Sequence, residues 1–226
     1  ALVYFSTFIP MFFEVDVLIG EGGFQPAVKL LEKSYQDQGM LQSLLQFPSL
    51  FHLNPSNAML FIIAGLGCLG ALGLLVGFQV FWAALLAWVS FLSITSIGGD
   101  FYIIIIDLFL AEVGFLTLFS TYFLQFKNYI PTIVGLAFKL LNFKLWFSMG
   151  VIKFYMPLSS WTSFTFFDTF FQAQPMPTPM AKVFHQTPTF LKYLAIIFLF
   201  FGEIIAPFFI FGNRLFKLLA AITFVA

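Results

Sequence analysis

Charge is what this chain has least of. Asp, Glu, Lys and Arg make up 9% of its 226 residues, against about a quarter in soluble domains. Hydrophobic residues supply 61% and the mean hydropathy is +0.99, more apolar surface than a soluble fold could hide. The net charge is zero, which excludes the basic footprint of a nucleic-acid binder. A single cysteine, Cys68, excludes a disulfide within this stretch, and its apolar setting makes it a packing residue. The two histidines, His52 and His185, lack Asp, Glu or Cys at ligand spacing, so no metal centre is expected. A nucleophile elbow, a phosphate-cradling glycine loop, a dinucleotide fingerprint and a zinc-binding helix motif are all missing. No catalytic or cofactor-binding residue is therefore assigned.

What is present reads as lipid-facing helix. A bilayer core of about 30 Å needs about 20 apolar residues. Such stretches occur near Ala1–Ile19, Asn57–Val76, Phe78–Ile97, Phe101–Phe126, Pro131–Ile152, Phe190–Phe211 and Leu215–Ala226. The expected fold is an all-α polytopic bundle of about six to seven spans, with the lipid bilayer as its first partner. It is read as one membrane domain over 1–226, cut at both ends, because the chain starts and stops inside apolar segments. The 36 Phe suit lipid-facing and interhelical surface and carry no binding inference of their own. Ala64, Gly67, Gly70, Ala71 and Gly73 suit close helix packing in lipid.

Two longer connections interrupt the spans, 20–56 and 153–189. The first opens with GEGGFQP, and from Ala27 to Phe47 apolar residues recur beside Lys, Glu and Gln. That pattern reads as one amphipathic helix, lying on the membrane surface or packed on a neighbour. Lys127, Arg214 and Lys217 stand beside short turns with no acids near them. The positive-inside rule puts that side in the cytosol and both long loops on the extracytosolic side.

Charges fall inside spans, among them Asp107 and Glu112 in the fourth, Lys139 and Lys144 in the fifth and Glu203 in the sixth. Each costs at least about 2.5 kcal/mol at the bilayer centre, so each needs a partner or a wet cavity. Successive spans joined by a short turn are neighbours. Asp107 or Glu112 with Lys139 or Lys144 are thus the expected pairs, structural or functional.

The stretch FFQAQPMPTPMAKVFHQTP, 170–188, can be neither long helix nor ordinary strand. Pro175, Pro177 and Pro179 push Gln174, Met176 and Thr178 towards extended geometry. Its unpaired backbone must lie at the surface or in a protein-lined cavity. The expectation is an ordered, non-helical loop over 172–188, burying Phe170, Phe171, Met176, Met180 and Phe184. Gln174 and His185 would hydrogen-bond its backbone, with Trp146 and Trp161 bracing it at the lipid boundary.

Read in order, DLFLAEVGFL with Asp107, Glu112 and Gly114, FKLWFSMGVIK ending in Lys153, Trp161, the QPMPTP run, His185-Gln186-Thr187-Pro188 and GEIIAPFFIF with Glu203 are distinctive. Together they resemble the membrane region of the lipase maturation factor family over nearly the whole chain. The family's loop has His, Glu and Thr where this chain has Phe170, Gln172 and Ala173, and Arg where it has Lys144. Of its Gly-Asp-Pro-x-Trp turn only Trp161 remains. The chain therefore reads as a divergent member.

The resemblance implies a membrane protein of the endoplasmic reticulum, or of the inner membrane in a bacterium, that aids folding and assembly of secreted lipases by binding. A structural or accessory subunit of a larger membrane complex is the alternative. A distant likeness of the family to the vitamin K-dependent carboxylase adds a third reading, an enzyme with Lys153, Lys182 or His185 as base.

The charge pairing has a direct check. Removing one partner of a buried pair costs about 3–5 kcal/mol, because the other charge is left uncompensated. Glu112→Ala should lower detergent stability far more than Glu112→Ala combined with a neutral residue at its lysine partner, Lys139 or Lys144. Equal stability of single and double variants would show that these charges are not paired.

Overall fold

The computed structural model describes residues 1–102, 105–155, 160–173 and 178–225, and among them there is no strand. The chain divides into two compact units, Ala1–Gly135 and Leu136–Ala226. Among the described residues, six helical segments are long and apolar enough to cross a bilayer. Helix is the expected outcome, since in lipid a backbone N–H or C=O must be satisfied within its own segment.

In the first unit, α1 (Leu2–Ile19) presents Tyr4, Phe8, Met11, Val15 and Ile19 as one buried stripe. After it come α2 (Ala27–Gln38), α3 (Met40–Gln46), a short 3-10 turn at Leu50–Leu53, α4 (Asn57–Val76), α5 (Val80–Ile97) and α6 (Ile105–Lys127). The stripe of α1 packs on α4, α4 packs on α5, and α5 on α6. Phe8 and Tyr4 meet Phe91 of α5 edge-on, at ring separations of 6.2 and 5.6 Å.

The small-residue stripe of α4 does what its composition suggests. Ala64, Gly67, Gly70 and Ala71 are buried. A Cβ at Gly70 would stand 2.6 Å from the Ala87 nitrogen and 2.8 Å from the Ala83 carbonyl oxygen, so the two helix backbones touch there. On α6, Gly114 faces Tyr4 and Trp88 with no room for a side chain. Tyr4 donates to the Leu110 carbonyl at 3.2 Å and Trp88 to that of Ala111 at 2.8 Å. The Gly114 of the family-like motif is thus a packing residue.

The segment 27–47 departs from the single helix expected of it. It breaks at Gly39, whose φ of 81° is open to glycine and strained for other residues. The first half, α2, buries Ala27 and Leu31 against the core, as a helix packed on a neighbour. In α3, Met40, Leu41 and Leu45 remain exposed.

Polar clasps hold the connections. Gln25 donates to the Asp100 carboxylate at 2.7 Å and accepts from its backbone N–H at 3.0 Å. Tyr35 hydrogen-bonds His52 Nδ1, and His52 Nε2 meets the Phe47 carbonyl at 2.7 Å. His52 is therefore a loop fastener. Burial, then the charges of Glu14 and Asp107, push the Tyr102 phenol up to about 12, so it stays neutral beside α6.

The second unit holds nearly all of α7 (Thr132–Tyr155), then α8 (Phe166–Ala173), α9 (Pro179–His185), α10 (Thr189–Phe200) and α11 (Arg214–Val225). α10 runs on through a widened π turn, Phe201–Ile205, and a 3-10 segment, Ala206–Phe211. The sixth expected span is thus continuous but irregular. α11 runs to the last described residue, Val225.

The proline-rich stretch is more helical than its sequence suggests. Gln172 and Ala173 end α8, and Pro179 opens α9 at a first-turn position where its missing N–H costs nothing. Thr178 caps α9 by accepting from the Ala181 N–H at 3.3 Å. The expected non-helical loop over 172–188 is corrected accordingly. Its 174–177 part, with Gln174, Pro175, Met176 and Pro177, lies outside the described residues.

The α4–α5 contact makes a quantitative statement. Because the obstructing atoms at Gly70 are backbone, Gly70→Val should cost about 1–3 kcal/mol and lower the melting temperature in detergent. A melting temperature equal to the parent's would contradict this packing.

Candidate functional site

Pro207 is the starting point. It has no N–H to offer the carbonyl one turn back, that of Glu203, and its ring crowds that carbonyl. The helix meets this by widening into the π turn at Phe201–Ile205 and tightening into the 3-10 segment that carries Pro207. Extra-residue turns of this kind occur often at functional sites. The result places Glu203 on the buried side beside Gly202, Ala206 and Pro207.

Facing this turn is the last third of α7. A Cβ on Gly150 would fall 2.6 Å from Ile204 Cγ1 and 3.0 Å from Glu203 Cβ, so the two elements approach to backbone distance at that point. Three residues on, Lys153 lies on the same face of α7. Its ammonium contacts both Glu203 carboxylate oxygens, at 2.6 and 2.5 Å, and donates to the Met149 carbonyl at 3.2 Å. It also stands 4.9 Å from the centre of the Trp161 ring. Side-chain exposure is 10% for Lys153 and 11% for Glu203, so the pair is desolvated.

This geometry decides the chemistry open to Lys153. A general base needs a free lone pair. The Lys153 nitrogen is already engaged by a carboxylate, a carbonyl and an aromatic face. The arrangement suits a structural ion pair. Lys153 is also placed within α7, not at the start of a loop as the sequence suggested.

A second ion pair fastens the proline-rich region. Lys192 in the first turn of α10 meets Asp168 of α8 at 2.7 Å. Phe171 of α8 stacks on Phe184 of α9 at 5.9 Å, and Trp161 stacks on Phe166 at 3.5 Å. Phe184 and Met180 nevertheless stay about half exposed, so the expected burial of the loop's apolar side chains is only partial. Trp146 does not brace the loop: it stacks on Phe224 of α11, with ring centres 4.5 Å apart.

Lys153, Trp161 and Glu203 come together. Pro179 opens α9, His185 closes it, Gln186 caps it through its N–H to the Lys182 carbonyl, and Pro188 precedes α10. Asp107, Glu112 and Gly114 lie on α6 in the first unit, Lys139 and Lys144 on α7. The Lys153–Glu203 and Asp168–Lys192 pairings escaped sequence reasoning, because their partners lie 50 and 24 residues apart. Among the described residues no group of three or more His, Cys, Asp and Glu could hold a metal.

The model of the lipase maturation factor transmembrane domain matches residues 1–226, the whole chain. The chain belongs to the lipase maturation factor family. It is 28% identical to lipase maturation factor 2 of Xenopus laevis over 91% of this chain and 31% of that protein. With lipase maturation factor 1 of Homo sapiens the identity is 27%, over 95% of this chain and 40% of that one. Rattus norvegicus lipase maturation factor 2 is 29% identical, over 92% and 32%. The chain thus spans about a third of the length of these relatives. No solved structure matches it. Family and spans together make it an integral membrane protein.

In this family member the buried pair should behave as a unit. Lys153→Met or Glu203→Gln alone leaves the other charge stranded and should cost about 3–5 kcal/mol. Lys153→Met with Glu203→Met should recover most of that, read as unfolding midpoints in detergent. A double variant as unstable as the worse single one would refute the pairing.

Proposed function

We propose that the chain is the membrane domain of a maturation factor that assists folding and assembly of a secreted lipase by binding, without chemistry of its own. The family match over all 226 residues carries this reading, since the relatives bear the name lipase maturation factor. The surroundings of Lys153 support it: one of the three candidate bases of an enzymatic reading is engaged with Glu203. In this view, Pro207, the π turn and the ion pair serve to fix how α7 and α10 meet. They thereby fix where α8 and α9 are presented.

The endoplasmic reticulum is the proposed location in a eukaryote and the inner membrane in a bacterium. The connections carrying α2, α3, α8 and α9 then stand on the extracytosolic side, where a secreted client folds. The basic short turns at Lys127 and Arg214 motivate that orientation.

Two measurements check this. Cells lacking the full-length protein should secrete lipase with strongly reduced activity, restored by re-expression; undiminished output would refute the client class. Cysteines introduced at Gln38 and Gln186 should resist an impermeant reagent applied from the cytosolic side. Labelling of either would reverse the orientation.

A further inference from the structure

From Leu136 onward the sequence carries seven Lys and Arg against two carboxylates, Asp168 and Glu203. Both carboxylates are taken, by Lys192 and Lys153. Lys139 and Lys217 therefore have no carboxylate of their own unit. They line one open cavity of about 300 Å³, together with Phe138, Asn142, Ile210 and Phe224.

This cavity has a particular chemistry. Its walls are ring and aliphatic surface, with Trp146 stacked behind Phe224. Two lysines, Lys139 and Lys217, are the charged residues of its lining, and both are exposed. In α7, Lys139 lies seven residues beyond Thr132, about 10 Å along the helix, within reach of the lipid–water boundary for a long side chain. Lys217 is in the first turn of α11. Cations at that boundary meet lipid headgroups, and an anionic one supplies a counter-charge.

We propose that this cavity binds the headgroup of an anionic phospholipid, such as phosphatidylinositol. The phosphate oxygens accept from Lys139 and Lys217. An acyl chain lies along Phe138, Ile210 and Phe224. Basic pockets between membrane helices commonly take headgroups of this class. A zwitterionic lipid lacks the net charge, and free phosphate lacks the chain.

The test is native mass spectrometry of the chain released from detergent with phosphatidylinositol, with phosphatidylcholine, or with inorganic phosphate. Phosphatidylinositol should form adducts that phosphatidylcholine does not. Lys139→Gln with Lys217→Gln should weaken them roughly thirtyfold, at about a fivefold loss per lysine. Lys182→Gln, on a residue outside the cavity, should leave them unchanged. If the double variant does not fold, Lys217→Gln at its exposed position should still show the fivefold loss. Equal adducts with both lipids, or retention by the lysine variants, would overturn the proposal. So would displacement of phosphatidylinositol by millimolar inorganic phosphate, which would assign the cavity to a soluble anion.

Discussion

A proline inside a membrane helix sets the terms for the second unit. Pro207 takes away one backbone bond, and lipid offers no water to replace it. The chain answers by redistributing turns, π before and 3-10 after. That redistribution brings a carboxylate to the buried side, where it would be ruinous alone. Lys153 of α7 makes it tolerable, and Gly150 makes the approach possible by having no side chain. Proline, glycine, lysine and glutamate thus form one causal chain, and none of them has a purpose there without the others.

The first unit rests on a different principle. Hydrophobicity cannot drive helices together in lipid, so close van der Waals contact must. The Gly70 contact between α4 and α5 and the seat of Gly114 against Tyr4 and Trp88 supply it. Polar side chains appear mainly where connections leave the helices, as in the Gln25–Asp100 clasp and the Tyr35–His52 contact. Ion pairing thus organises the second unit and steric fit the first.

Much of this was legible from residues alone. Apolar run lengths place the spans to within a few residues, because twenty residues of lipid-compatible helix leave little freedom. The motif order from Asp107 to Glu203 was enough to indicate the family. Three features were not legible, each for a physical reason. Local propensity cannot tell that Pro179 starts a helix once Thr178 supplies a cap. The break at Gly39 is a backbone event inside a continuous amphipathic pattern. The Lys153–Glu203 pair depends on how α7 and α10 meet, which residues 50 apart in sequence do not reveal.

On this view Lys153 and Glu203 are architecture and not chemistry. Lipase secretion by cells carrying only the full-length protein with Lys153→Met and Glu203→Met tests it most directly. Lipase activity close to that of the parent is expected, provided the variant accumulates in the membrane at normal level. A variant that accumulates normally yet yields no active lipase would contradict it, and would return Lys153 to the list of reacting groups.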